Sequence, residues 1–372
     1  MINYRNAEKK DYYEFVDLMN YVFKVDFEKV LPKTFNPDYE FEKITKVAED
    51  EKGKLVAGVC VLPQNVSVDN ISLNTNFLGG VTVHPRYRGE SHMINLINMW
   101  LDETKDLYDM SVLTGQRQRY EYFGYTPGGV QWEYTVNIQN INHSLRDICC
   151  DDIVIKPMAE TEGGFEFAAQ FNNSRSVNVY RTPDEADRIM VCYRQHPFAV
   201  LKNGNITGYI ITSLNRETIS EFALCDYQDT KKVLKAYFRS FGIEKTAVIL
   251  PEYETELHRQ LISFAESYSE QPCCSLNIFN FAKVIKAYME LKNTTHKLSY
   301  GRISAVMDNQ PITITVDENG VTVENKAPEN AVILDKTKSQ ELLLTHAGKY
   351  MDIDVPNDWF PLPVFWYRVD QY

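Results

Sequence analysis

At Pro85 the chain changes its hydrophobic period. Upstream, Ser72 to Val83 is rich in β-branched and apolar residues suited to an extended strand, and downstream Met93, Ile94, Ile97, Trp100 and Leu101 recur on one helical face. A strand that feeds a helix through a Pro turn leaves the helix N-terminus, with its unpaired N–H groups and partial positive charge, at the end of that strand. Such a terminus binds phosphate. The connecting residues include Arg86, Arg88, Gly89 and Ser91; small residues let a pyrophosphate approach the backbone, and arginine adds charge-assisted contacts. The simpler alternative is an ordinary strand-to-helix connection with Ser91 as N-cap.

The same reading places this unit among others. A short strand at Ile2 to Tyr4 precedes an amphipathic helix carrying Tyr12, Phe15, Met19, Val22 and Phe23, and strands at Ile44 to Ala48, Leu55 to Leu62 and Ser72 to Val83 suggest an antiparallel meander. After the helix come a strand at Met110 to Leu113, a short helix around Tyr120, and an alternating strand, Val130 to Val136. From Asp152 the order of elements runs again: strand Ile153 to Lys156, helices at Phe165 to Asn172 and Asp184 to Tyr193, a hairpin across Asn203-Gly204, and strand Ile219 to Ala223. Helix Thr230 to Ser240, strand Ala247 to Leu250, helix Glu254 to Ser267 and strand Ser275 to Ile278 complete this half. The remainder, with a helix from Phe281, three strands between Arg302 and Glu324, a helix at Ser339 to His346 and an aromatic tail, reads as a small α+β domain.

A length of 372 residues fits two or three domains. The formal charge of −12 argues against nucleic acid as a partner, because phosphate contacts need clustered Lys and Arg; it mildly favours a cationic substrate. Seven cysteines, with Cys149-Cys150 and Cys273-Cys274 adjacent, suit neither a disulfide framework nor a metal site, so no metal is expected. Without an apolar leader or a run of about 18 apolar residues, no membrane association is expected and the cytoplasm is the expected location.

The stretch Val81 to Met93 resembles the cofactor motif of the GNAT acetyltransferase superfamily, in which a Pro is followed at fixed distance by Arg-x-x-Gly-x-Gly/Ala. Arg88 falls on the Arg, while Ser91 and Met93 fall on the two small positions and depart from the pattern. The register Arg86-x-x-Gly89-x-Ser91 fits the letters better; Arg88 fits the distance from Pro85. The resemblance implies acetyl-CoA as acyl donor. Val81 and Val83 would offer strand backbone to its pantetheine arm, and Arg88, Gly89, Glu90, Ser91, His92 and Met93 would form the pyrophosphate turn. A second stretch, Arg119 to Tyr125, is similar to the GNAT signature of a Tyr four residues before a Gly-aromatic pair, which implies that Tyr120 protonates the departing thiolate. A phenol, with a reference pKa of about 10, stays protonated at neutral pH and lies within about two units of a thiol.

Over its length the chain resembles the Eis family of acetyltransferases. That resemblance implies two tandem GNAT-type mixed sheets flanked by helices, an α/β (α+β) fold, and a small sterol-carrier-like domain. The corresponding divisions are 1–150, 151–280 and 281–372. The second unit shows Cys225-Asp226-Tyr227-Gln228-Asp229 before its helix, with two carboxylates and no Gly, so it is expected to bind no cofactor. In that family the C-terminal carboxylate serves the substrate amine, which implies this role for Tyr372. With a reference pKa of about 3.5, orienting the amine by charge suits that carboxylate better than acting as a strong base. The resulting expectation is an N-acetyltransferase acting by direct attack of a primary amine, on a small cationic molecule or a Lys side chain, and assembled as a homo-oligomer. The rival is a non-catalytic GNAT-like protein that binds a ligand or partner.

Overall fold

The computed structural model describes all of residues 1–372. Strands β1 (Asn3–Asn6), β2 (Thr45–Glu49), β3 (Leu55–Val68) and β4 (Ile71–Val83) form the antiparallel meander, and β5 (Met110–Leu113) adds in parallel to β4. The first eight residues of β3 are all buried, which requires cover on both faces. Helix Tyr12–Phe23 supplies one cover: Phe15 closes so tightly over Gly58 that a Cβ there would lie 2.2 Å from its ring. Helix His92–Thr104 supplies the other through Leu96, Ile97 and Trp100, whose indole N–H donates to the Val59 carbonyl at 3.1 Å.

The two halves exchange strands. The first sheet continues from β5 to Cys274–Ile278 and then to β6 (Thr126–Gly128), so a strand expected to complete the second unit sits inside the first. Conversely β7 (Gln131–Asn137), which alternates so clearly in the sequence, lies in the second sheet between Ser267–Gln271 and Lys245–Pro251. Tyr134 and Val136 of β7 belong to the second core, with Val233 and Leu257. Divisions at 150 and 280 therefore do not separate the sheets: alternation tells which face of a strand is buried but not which sheet it joins.

From Lys245–Pro251 the second sheet runs on through Thr218–Leu224, Asn205–Thr212, His196–Lys202 and Ile153–Pro157. Three further elements differ from expectation. The helix read to Ser267 stops at Ile262, and Ser267–Gln271 is an exposed edge strand whose polar sequence is extended by pairing with β7. The helix read over Asp184 to Tyr193 is broken into short turns, with Tyr193 at φ 56°. In the third sheet, of order Gly320–Glu324, Gln310–Asp317, Gly301–Met307 and Val332–Leu334, the last strand is too short to show a period and pairs in parallel at the edge.

Helix Phe281–His296 joins this third sheet to the first in one continuous apolar cluster. The aromatic tail is docked. Trp359 donates to the Ser299 carbonyl at 2.8 Å, Val130 N–H donates to the Val364 carbonyl at 3.0 Å, and Trp366 donates to Gln64 at 3.1 Å, returning the chain to the first domain. No helix is long and apolar enough to cross a membrane.

Candidate active site

Strand β4 pairs with β5 only over Thr75 to Phe77, although it continues to Val83. Beyond Phe77 the two strands part, and the β5-facing edge of β4 is left without strand partners. A register shift against β3 between Gly58 and Cys60, with Gly80 at φ 58°, bends β4 at the point of separation. The opening is a cavity of about 650 Å³ lined by Val81 and Val83 of β4, by Arg88, Gly89, Ser91, His92 and Met93 of the turn and helix start, and by Tyr120. One cavity thus gathers both sequence stretches.

The turn is built for close approach. Gly89 has φ 86° and open space where a Cβ would stand, a conformation that favours glycine. Ser91 occupies the N-cap position in left-handed geometry, φ 63°, and its side chain accepts no cap hydrogen bond. The N-cap reading of Ser91 therefore holds for its position and fails for its chemistry. The first-turn amides of His92, Met93 and Ile94 have no backbone acceptor, which leaves them for a ligand. Arg88 and Arg119 are the cationic side chains of the lining, and no carboxylate lines it. In a chain of charge −12, that local excess of positive charge suits a phosphate-bearing ligand. An acyl-CoA fits the cavity on these grounds.

Other expected residues fall differently. Glu90 does not line the cavity; its carboxylate lies 3.3 Å from His92 Nε2. The His92 ring is buried and its Nδ1 meets the Tyr4 hydroxyl at 2.7 Å, so the ring anchors the helix start to β1. Val22 and Phe23, at the end of the helix face that carries Phe15 and Met19, also line the cavity. No local signal marks them, because only the packing of the helix on the sheet brings them to the cavity, where Phe23 remains 45% exposed.

Tyr120 lies at the end of the short helix Arg117–Tyr120, its ring filling the space a Cβ on Gly115 would need, 2.4 Å away, and meeting Tyr125 edge-on at 6.4 Å. Burial pushes its phenol up from the ordinary value, and the nearby charge of Arg119 offsets this only in part. The phenol is therefore held protonated. Tyr372 does not line the cavity. Its ring is 5% exposed and packs on Gly79, two residues before Val81, with Phe35 at 5.9 Å. At the corresponding place in the second half, Asp226 accepts from Gln228 N–H at 2.9 Å and Asp229 pairs with Lys202 at 2.6 Å, so carboxylates occupy the turn.

These features define a domain that opens a sheet beside a helix N-terminus. Residues 3–128 match the family described as "Acetyltransferase (GNAT) domain", and the fold of this part of the chain is of the GNAT type. The match ends just before β7, the strand that departs to the second sheet. The whole chain shares its fold with solved structures. A probable N-acyltransferase from Enterococcus faecalis V583 is 18% identical, with 96% of this chain and 95% of that chain covered and a TM-score of 0.67. A GCN5-related N-acetyltransferase from Anabaena variabilis ATCC 29413 is 15% identical over 100% of both chains, with a TM-score of 0.66. Eis1 from Mycobacterium abscessus is 11% identical over 96% of this chain and 95% of that one, with a TM-score of 0.65. The particular architecture is thus Eis-like. No curated protein matches the chain by sequence.

Proposed function

We propose that the chain is an acetyl-CoA-dependent N-acetyltransferase whose chemistry takes place in the opening between β4 and β5. The observation that carries this reading is the convergence of the uncapped helix N-terminus, Arg88 and Tyr120 on one cavity of about 650 Å³. The first-turn amides and Arg88 hold the pyrophosphate, and the unpaired edge at Val81 and Val83 receives the pantetheine arm as an extended strand would be received. Ser91 and Met93 replace the expected small residues, but the contacts asked of them come from backbone N–H groups that either side chain leaves available.

When bound, the thioester supplies an activated acetyl carbonyl. Tyr120 stands on the same cavity and, protonated at neutral pH, donates its proton to the sulfur as the carbon–sulfur bond breaks. The amine that forms the new carbon–nitrogen bond gives up its proton to a carboxylate or to solvent. The carboxylate assigned to Tyr372 is the candidate acceptor, acting chiefly by orienting the amine. The acceptor class we propose is a primary amine on a small molecule or a Lys side chain.

Titration calorimetry with acetyl-CoA tests the reading. Binding in the micromolar range that weakens at least tenfold in Arg88→Ala supports it. Failure to bind at millimolar concentration would remove the enzyme and leave the ligand-binding alternative.

A further inference from the structure

The segment before Tyr372 is held residue by residue from both halves of the molecule. Asp370 is 3% exposed, and each of its oxygens accepts from Arg181: Nε to Oδ1 at 2.9 Å, Nη2 to Oδ2 at 2.8 Å. The fully buried Arg181 also donates to Glu221, at 3.2 and 2.8 Å. Glu221 in turn accepts from Arg175 at 2.7 Å and from the Tyr209 hydroxyl at 2.5 Å. Two guanidiniums and two carboxylates therefore balance in the interior. Burial alone would push the Glu221 carboxyl up, but the facing Arg181 and Arg175 outweigh it and hold it below its ordinary value.

The first domain grips the same segment. Lys33 donates to the Val369 carbonyl at 2.7 Å and to the Gln371 carbonyl at 2.6 Å, and Gln64 donates to the Asp370 carbonyl at 2.6 Å while accepting from Trp366. The Arg175 guanidinium lies 4.8 Å from the Tyr367 ring centre, and Arg368 lies 3.7 Å over Tyr193. Every residue from Trp366 to Gln371 has at least one of these partners. Buried ion pairs are a poor source of net stability, and their best-attested use is to fix one register among alternatives.

We infer that Arg181, backed by Glu221, is a latch through which the second half positions Tyr372 against Gly79 of β4, making Arg181 and Asp370 positioning residues for the acceptor side of the site. The half without a cofactor loop thereby acquires a part in the reaction. The latch itself is a matter of structure; its catalytic consequence rests on the acetyltransferase reading.

Hydrogen exchange of the full-length protein, followed by mass spectrometry, tests the latch without any turnover. In Asp370→Asn, peptides covering residues 366–372 exchange at least tenfold faster while residues 85–95 are unchanged; exchange at the wild-type rate overturns the latch. Lys33→Met, which removes two donors to the tail without leaving a charge unpaired, loosens the same peptides and serves if Asp370→Asn does not fold. In the kinetic arm, kcat falls at least tenfold in Asp370→Asn with acetyl-CoA affinity unchanged, and adding Tyr372→Ala causes no further loss. Losses that multiply would overturn the positioning role. If the wild-type protein binds no acetyl-CoA, the acetyltransferase reading falls, and the exchange arm still decides the latch.

Discussion

Gly79→Ala offers a sharp test of how the tail is seated. A Cβ at this position would lie 1.9 Å from Tyr372 Cδ1, 2.6 Å from Cε1 and 3.1 Å from Cγ, where comfortable carbon contacts are about 3.5–4.0 Å. Neither side can retreat cheaply. Gly79 is paired with Cys60 in the sheet, and the Tyr372 ring is backed by Phe35 and tethered through Gln371 to Lys33. Retaining the ring overpacks the site at about 1–3 kcal/mol. Expelling it forfeits the burial of a large side chain, about 1.5–3 kcal/mol. Both routes lead to a loss of about 2 kcal/mol, measured from denaturant unfolding. In a Tyr372→Ala background the new methyl enters vacated space, and its cost should fall below about 0.5 kcal/mol, since residues in contact couple. Equal costs in the two backgrounds would refute the packing argument. Gly79 does not line the cavity at the helix start, so on the proposed acetyltransferase reading acetyl-CoA affinity should stay near that of the wild type while kcat falls.

Two further outcomes are expected. Tyr120→Phe should lower kcat by about 10²–10⁴-fold with acetyl-CoA affinity little changed, and because burial raises the phenol's pKa, the wild-type alkaline limb of kcat should lie above the ordinary Tyr value of about 10. The Glu221 carboxyl is held below its ordinary value, so its contribution to stability is complete above an unfolded pKa of about 4.3 and is lost as pH falls toward its folded value. Unfolding midpoints between about pH 6 and pH 3 should therefore slope less steeply in Glu221→Gln than in the wild type.

Most elements were legible because their periods are long enough to see. Tyr12–Phe23 and His92–Thr104 carry clear apolar faces, and the switch at Pro85 placed the turn that lines the cavity. Ser267–Gln271 could not be read, since its residues are all exposed and its extended form comes from a partner strand distant in sequence. The site divides in the same way. Arg88, Gly89 and Tyr120 announce themselves through local spacing, whereas Val22 and Phe23 join the cavity only when the helix is laid on the sheet. Arg181 gave no sign at all: it meets Asp370 from 189 residues away, and nothing local distinguishes a buried arginine from a solvated one.

The strand exchange also sets an order of events during synthesis. Leu113 of β5 pairs with Ser275, about 160 residues further on. At a synthesis rate of about 5–20 residues per second, β5 waits on the order of ten seconds before its neighbour leaves the ribosome. Through that interval the nascent sheet presents an open edge of Met110, Val112 and Leu113, residues that are fully covered once the chain is complete. The cavity beside β4, by contrast, is lined wholly by residues between Val22 and Tyr120, so its walls are all synthesised long before the strand that closes the sheet edge.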